Sequence, residues 1–95
     1  MALYDKFFIT MQALQITGIQ LRAARGALGW SVVDLAKMAK VGSATIVRYE
    51  AAAGIPPSRN DNLQKLKTAL EAAGIEFIGT PTDRPGIRIG EPKAG

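Results

Sequence analysis

The chain has neither cysteine nor histidine among its 95 residues. The first absence excludes disulfides and thiol nucleophiles. Both together remove the usual zinc ligands, and with histidine goes the commonest general base. Carboxylates, lysines and hydroxyls remain, so no metal site, cofactor or catalytic constellation is expected. Glu71 and Glu76, five residues apart with no glycine-rich phosphate loop beside them, read as solvated surface charge. No apolar run approaches the roughly 18 residues of a membrane span, and no basic stretch leads into a long apolar one at the N-terminus. The expectation is a cytoplasmic chain without a membrane partner.

What is present points to one folded domain. Hydrophobic residues make up 47 % of the chain, ordinary for a globular protein and too many for a disordered one. The length supports one modest core. The net charge of +4 is unevenly spread. Between Gly18 and Lys67 eight basic residues stand against three acidic ones, a net +5, and the remainder carries −1. That central segment has the positive field a polyanion requires.

Periodicity divides the chain into segments. Leu3, Tyr4, Phe7, Phe8, Met11 and Leu14 recur at helical spacing, so residues 1–16 read as an amphipathic helix, either a lid over the core or a dimer-forming arm. Thr17-Gly18 breaks that pattern. Thr17 is placed to cap a helix running to about Leu28, with Leu21 and Leu28 inward and Gly29 in a left-handed terminal position. Trp30 then packs as a plug before the next helix.

Ser31, with Asp34 three residues on, has the spacing of a reciprocal N-terminal cap. Leu35, Ala36 and Ala39 share a face, Val41 and Ile46 oppose it, and Ala36 is small where two helices would cross. A second short helix starts near Gly42 and turns Ser43, Ala44, Val47, Arg48 and Ala51 outward. Two short helices around a tight turn make a helix-turn-helix, a DNA-binding arrangement.

Beyond it, Ile55-Pro56-Pro57-Ser58-Arg59 is a stiff loop, since two prolines exclude helix. Ser58 or Asn60 caps a further helix with Leu63, Leu66, Leu70 and Ala73 inward and Gly74 as its stop, which closes a segment 17–74. Residues 75–78 and 86–90 are β-type runs around a turn from Gly79 to Pro85, so 75–90 is a hairpin and 91–95 a disordered tail.

From Ile19 to Leu70 the chain resembles the XRE, or Cro/lambda-repressor-type, helix-turn-helix family. The resemblance rests on Leu21-Arg22 and Arg25, on Leu28-Gly29-Trp30-Ser31, and on Leu35-Ala36 with Ala39. Val41, Thr45-Ile46, Glu50, Pro57 and Leu63 complete it. It implies a mainly α fold: a lambda-repressor-like bundle of four to five helices, here followed by the short C-terminal β-hairpin. It also implies an ion pair between Arg25 and Glu50 that clamps the recognition helix. The chain departs from the family pattern in having Lys40 where glycine is usual and Gly42 where serine or threonine is usual. Either Lys40 adopts a left-handed backbone or the turn shifts by one residue.

On this basis the helix over 43–52 enters the major groove of double-stranded DNA. Arg48 is the strongest candidate for a base contact, since a guanidinium can bond guanine twice. Ala44 and Val47 can meet thymine methyls, and Ser43 can reach a base or serve as a cap. Thr45, Lys40, Arg59 and the helix start at Ser31 are candidates for phosphate contacts. A single such domain reads few base pairs, so a homodimer on half-sites roughly 34 Å apart is expected of a transcriptional regulator. The competing expectation is a protein-interaction module on the same fold, such as an antitoxin, binding its partner through the N-terminal helix or the hairpin.

Overall fold

A computed structural model describes residues 15–58 and 61–92. The apolar stripe from Leu3 to Leu14, Arg59, Asn60 and the last three residues lie outside them. Within the described residues the chain is mainly helical: α1 (Gly18–Leu28), α2 (Val32–Ala39), α3 (Ser43–Glu50) and α4 (Asn62–Ala72), then an antiparallel hairpin of β1 (Ile75–Thr80) and β2 (Asp83–Ile89). No described helix is long and apolar enough to cross a membrane.

Helix α1 starts one residue into the segment that reads, from sequence, as a break. The Thr17 hydroxyl accepts from the Gln20 N–H at 3.1 Å and the Gln20 side-chain oxygen accepts from the Thr17 N–H at 2.9 Å. This reciprocal cap satisfies two amides of the first turn. Gly18 follows directly because the backbone passes close by. A Cβ there would lie 2.2 Å from the Ala52 carbonyl oxygen and 2.3 Å from that of Tyr49, and the Gly18 N–H donates to the Gly54 carbonyl at 2.9 Å. The start of α1 is thereby fastened to the exit of α3. At the other end Gly29 takes φ 69° and closes the helix.

Helix α2 has the same kind of start. The Ser31 hydroxyl accepts from the Asp34 N–H at 3.0 Å and the Asp34 carboxylate accepts from the Ser31 N–H at 2.9 Å. The amide bond foremost, and then the hydroxyl, holds the Asp34 carboxyl below its ordinary value. The turn after α2 does not shift. Lys40 adopts φ 59° and ψ 45°, and the N–H groups of both Lys40 and Val41 donate to the Ala36 carbonyl. Gly42 is the residue before α3, extended and without a side-chain bond.

Two expectations are corrected, on the end of α3 and the hairpin turn, and one is refined, since Ser58 does supply a capping bond to α4 but not as the residue next to it. Helix α3 ends at Glu50, two residues before 52, because the Ala52 N–H turns back to the Tyr49 carbonyl and leads the chain toward Gly18. The residue preceding α4 is Asp61, in a left-handed conformation at φ 61° with no side-chain cap bond, while the Ser58 hydroxyl accepts from the Leu63 N–H at 3.1 Å from further upstream. The hairpin turn is only Pro81-Thr82, since Thr80 pairs with Asp83. A bulge lets the strands continue: Gly79, at φ 77°, faces Arg84 and Pro85, and the proline sits where no ladder donor is required.

The core is assembled from all of these elements. Leu21 and Ala24 of α1, Leu35 of α2, Ile46 and Tyr49 of α3, and Leu63, Leu66 and Leu70 of α4 are buried together with Val41 and Ile75. Phe77 and Ile87 share the inward face of the hairpin with Ile75, and Trp30 packs half-buried against the core. The Gln20 side-chain amide donates to one carbonyl on each strand, Ile78 at 3.2 Å and Gly86 at 2.9 Å, which docks the hairpin on α1. Lys67, buried along its stem, bonds Glu71 at 2.6 Å with its ammonium over the Phe77 ring.

Candidate nucleic-acid interface

At about 100° of rotation per residue, the eight residues of α3 divide into two faces. Ile46, Tyr49 and Glu50 point into the bundle and are buried. Ser43, Ala44, Val47 and Arg48 are exposed, as is Ala51 just past the helix end, and Thr45 lies half-buried on the flank. No described segment covers this outer face. Its centre is apolar, with Val47 57 % exposed. The Arg48 guanidinium lies 5.8 Å from the centre of the Tyr49 ring, a cation–π contact that steadies it beside Val47.

A cation adjoins this face. Lys40 is exposed three residues before Ser43, at the N-terminal end of α3. Ser31 is exposed at the far end of α2, about 12 Å away along an eight-residue helix axis, with its hydroxyl oxygen already engaged by Asp34. Arg59 lies outside the described residues.

What aims α3 is a charged pair at its base. Arg25 of α1 donates to Glu50 twice, Nε to Oε2 at 2.7 Å and Nη2 to Oε1 at 2.8 Å, and its Nη1 donates to the Trp30 carbonyl at 2.9 Å. The planar fork fixes Glu50 in two directions, and the third bond anchors the same guanidinium to the α1–α2 junction. Hydrogen bonding to Glu50 raises the Arg25 pKa further above its already high value, so the guanidinium stays charged. Glu50 is 8 % exposed. One side chain therefore ties α1, the start of α2 and the end of α3 into a rigid frame.

Two residues of that frame escape the sequence pattern. Gln20 is not singled out by the sequence pattern, although its place three positions after Thr17 is the spacing of a capping box. Gly18 reads as a helix breaker, and nothing local announces the backbone that passes over it. No group of three or more acidic, cysteine or histidine side chains with metal-binding geometry occurs among the described residues.

Compared with known proteins, residues 17–75 match the family model described as "Helix-turn-helix domain", which spans α1 to the start of β1. No curated protein matches the chain.

Proposed function

Because the chain belongs to the helix-turn-helix domain family, we propose that it is a sequence-specific regulator of transcription that reads double-stranded DNA with α3. The observation that carries this reading is the outer face of α3, exposed among the described residues, held by the Arg25–Glu50 fork and flanked by Lys40. In the major groove Arg48 bonds the O6 and N7 of a guanine, while Ser43 and Ala44 lie toward the helix start that enters deepest. Lys40, Thr45, Arg59 and the amides at the start of α2 meet phosphates, setting register and salt dependence without carrying sequence information. A homodimer places two copies of α3 on half-sites about one helical turn apart.

The test is selection of binding sites from random duplex DNA at fixed salt, with the wild type and Arg48→Ala side by side. Enrichment of a palindrome by the wild type is expected. Loss of one guanine preference per half-site in the variant should follow, worth about 1–3 kcal/mol of discrimination. No enrichment by the wild type would overturn the reading in favour of a protein-interaction module.

Lys40 separates the two kinds of contribution. Lys40→Gly relieves a left-handed backbone and should raise stability by about 1 kcal/mol, seen as a higher melting temperature. The same change removes a phosphate contact, so the slope of log K against log salt should become shallower by about one unit per protomer. A variant that is more stable with an unaltered slope would remove Lys40 from the interface.

A further inference from the structure

The outer face of α3 lacks whole classes of base-reading group. Ser43, Ala44, Val47, Arg48 and Ala51 include no carboxamide, which is the group that bonds adenine at N6 and N7, and no carboxylate to accept from the cytosine amino group. Only Arg48 offers a bidentate fork, and it selects guanine. The Ser43 hydroxyl can bond donor and acceptor edges alike and so discriminates little, which leaves discrimination at a neighbouring pair to apolar contact, and the one apolar mark on a major-groove edge is a methyl on pyrimidine C5. Val47 is the side chain suited to that mark. It is exposed, it sits next to Arg48, and as a β-branched helical residue it holds essentially one rotamer, so its methyls meet the groove already ordered. Ala44, three residues earlier on the same face, is small enough to let the helix backbone approach closely.

We infer that Val47, with Ala44 beside it, reads the C5 methyl group itself at a pyrimidine adjacent to the guanine held by Arg48. This deepens the proposed DNA reading and rests on it. Its consequence is chemical: 5-methylcytosine carries the same methyl as thymine, so DNA bound by this protein is sensitive to cytosine methylation at that position.

The test uses the 95-residue chain and the duplex obtained by site selection. Each thymine is replaced in turn by deoxyuridine, and separately each T·A pair by C·G with or without a 5-methyl group, with affinity read by fluorescence anisotropy. At one thymine per half-site, deoxyuridine is expected to weaken binding by about three- to fivefold, the value of one buried methyl. Methylating the substituted cytosine there should restore a similar factor. Val47→Ser should bind the thymine and uracil duplexes equally, with its melting temperature confirming the fold, while Arg48→Ala should keep the methyl dependence and lose the guanine preference. Equal binding of thymine and uracil duplexes at every position by the wild type would overturn the methyl reading and leave DNA reading intact. Undiminished methyl dependence in Val47→Ser would overturn the assignment to Val47. A wild type that selects no duplex would remove both proposals.

Discussion

Gly18→Ala is expected to destabilise the protein by about 3 kcal/mol, near the upper end of overpacking substitutions, which lowers the melting temperature by on the order of 15 °C for a domain of this size. The added methyl has nowhere to go. Two backbone carbonyl oxygens, from Ala52 and Tyr49, occupy its position, and backbone cannot rotate aside as a side chain can. Relief requires moving the exit of α3 away from α1, which also breaks the Gly18–Gly54 hydrogen bond. Gly26→Ala provides the opposing control within the same helix. Gly26 is exposed and a Cβ there meets nothing within 4 Å, so alanine should stabilise by about 0.5–1 kcal/mol through helix propensity alone. Thermal melts of the two variants should move in opposite directions. If both fall, or if Gly18→Ala melts like the wild type, the close approach of the two backbones is wrong.

Glu50→Ala is the second large effect expected, a loss of about 3 kcal/mol, typical of removing one partner from a buried ion pair. The damage comes less from the lost attraction than from what stays behind. Arg25 retains its charge, its side chain is only 20 % exposed, and among the described residues the Trp30 carbonyl is left as its one bonded acceptor. Since the same fork orients α3, DNA affinity should fall together with stability. Chemical denaturation gives the first quantity, and duplex binding at a temperature where the variant stays folded gives the second. Glu50→Gln, which keeps the shape and one acceptor, should lie between wild type and alanine. An unchanged melting temperature in Glu50→Ala would show that the fork contributes nothing to the frame.

How far the fold is legible before any coordinates depends on the range of the interaction. Short-range chemistry is written in residue types: the Ser31/Asp34 spacing, Gly29 after Leu28, and the leucine stripe of α4 each announce a local geometry that the structure contains. Lys40 is a sharper case, because an unsuitable residue at the turn leaves two outcomes open and the structure holds the left-handed one. Long-range chemistry leaves weaker marks. Nothing near Gly18 tells of the carbonyls of Tyr49 and Ala52, and nothing near Gln20 tells of strands some sixty residues away. The hairpin itself is legible, but its turn is shorter than composition suggests: Gly79 and Pro85 mark a loop by residue type, whereas they sit at a bulge inside paired strands and leave only Pro81-Thr82 for the turn. For the outer face of α3, helical periodicity alone separates Ser43, Ala44, Val47 and Arg48 from the buried Ile46, Tyr49 and Glu50. Which of them touches a base or a phosphate depends on a partner that periodicity does not describe.

The carboxamide of Gln20 bears on where this protein can be cut. A fragment ending at Gly74 would keep all four helices yet lose both protein acceptors of the Gln20 carboxamide, and would open to water the apolar side of the bundle now sealed by Ile75, Phe77 and Ile87. The hairpin is thus the missing wall of the helical unit rather than an appendage to it, and a minimal stable version of this chain has to extend at least through Ile89.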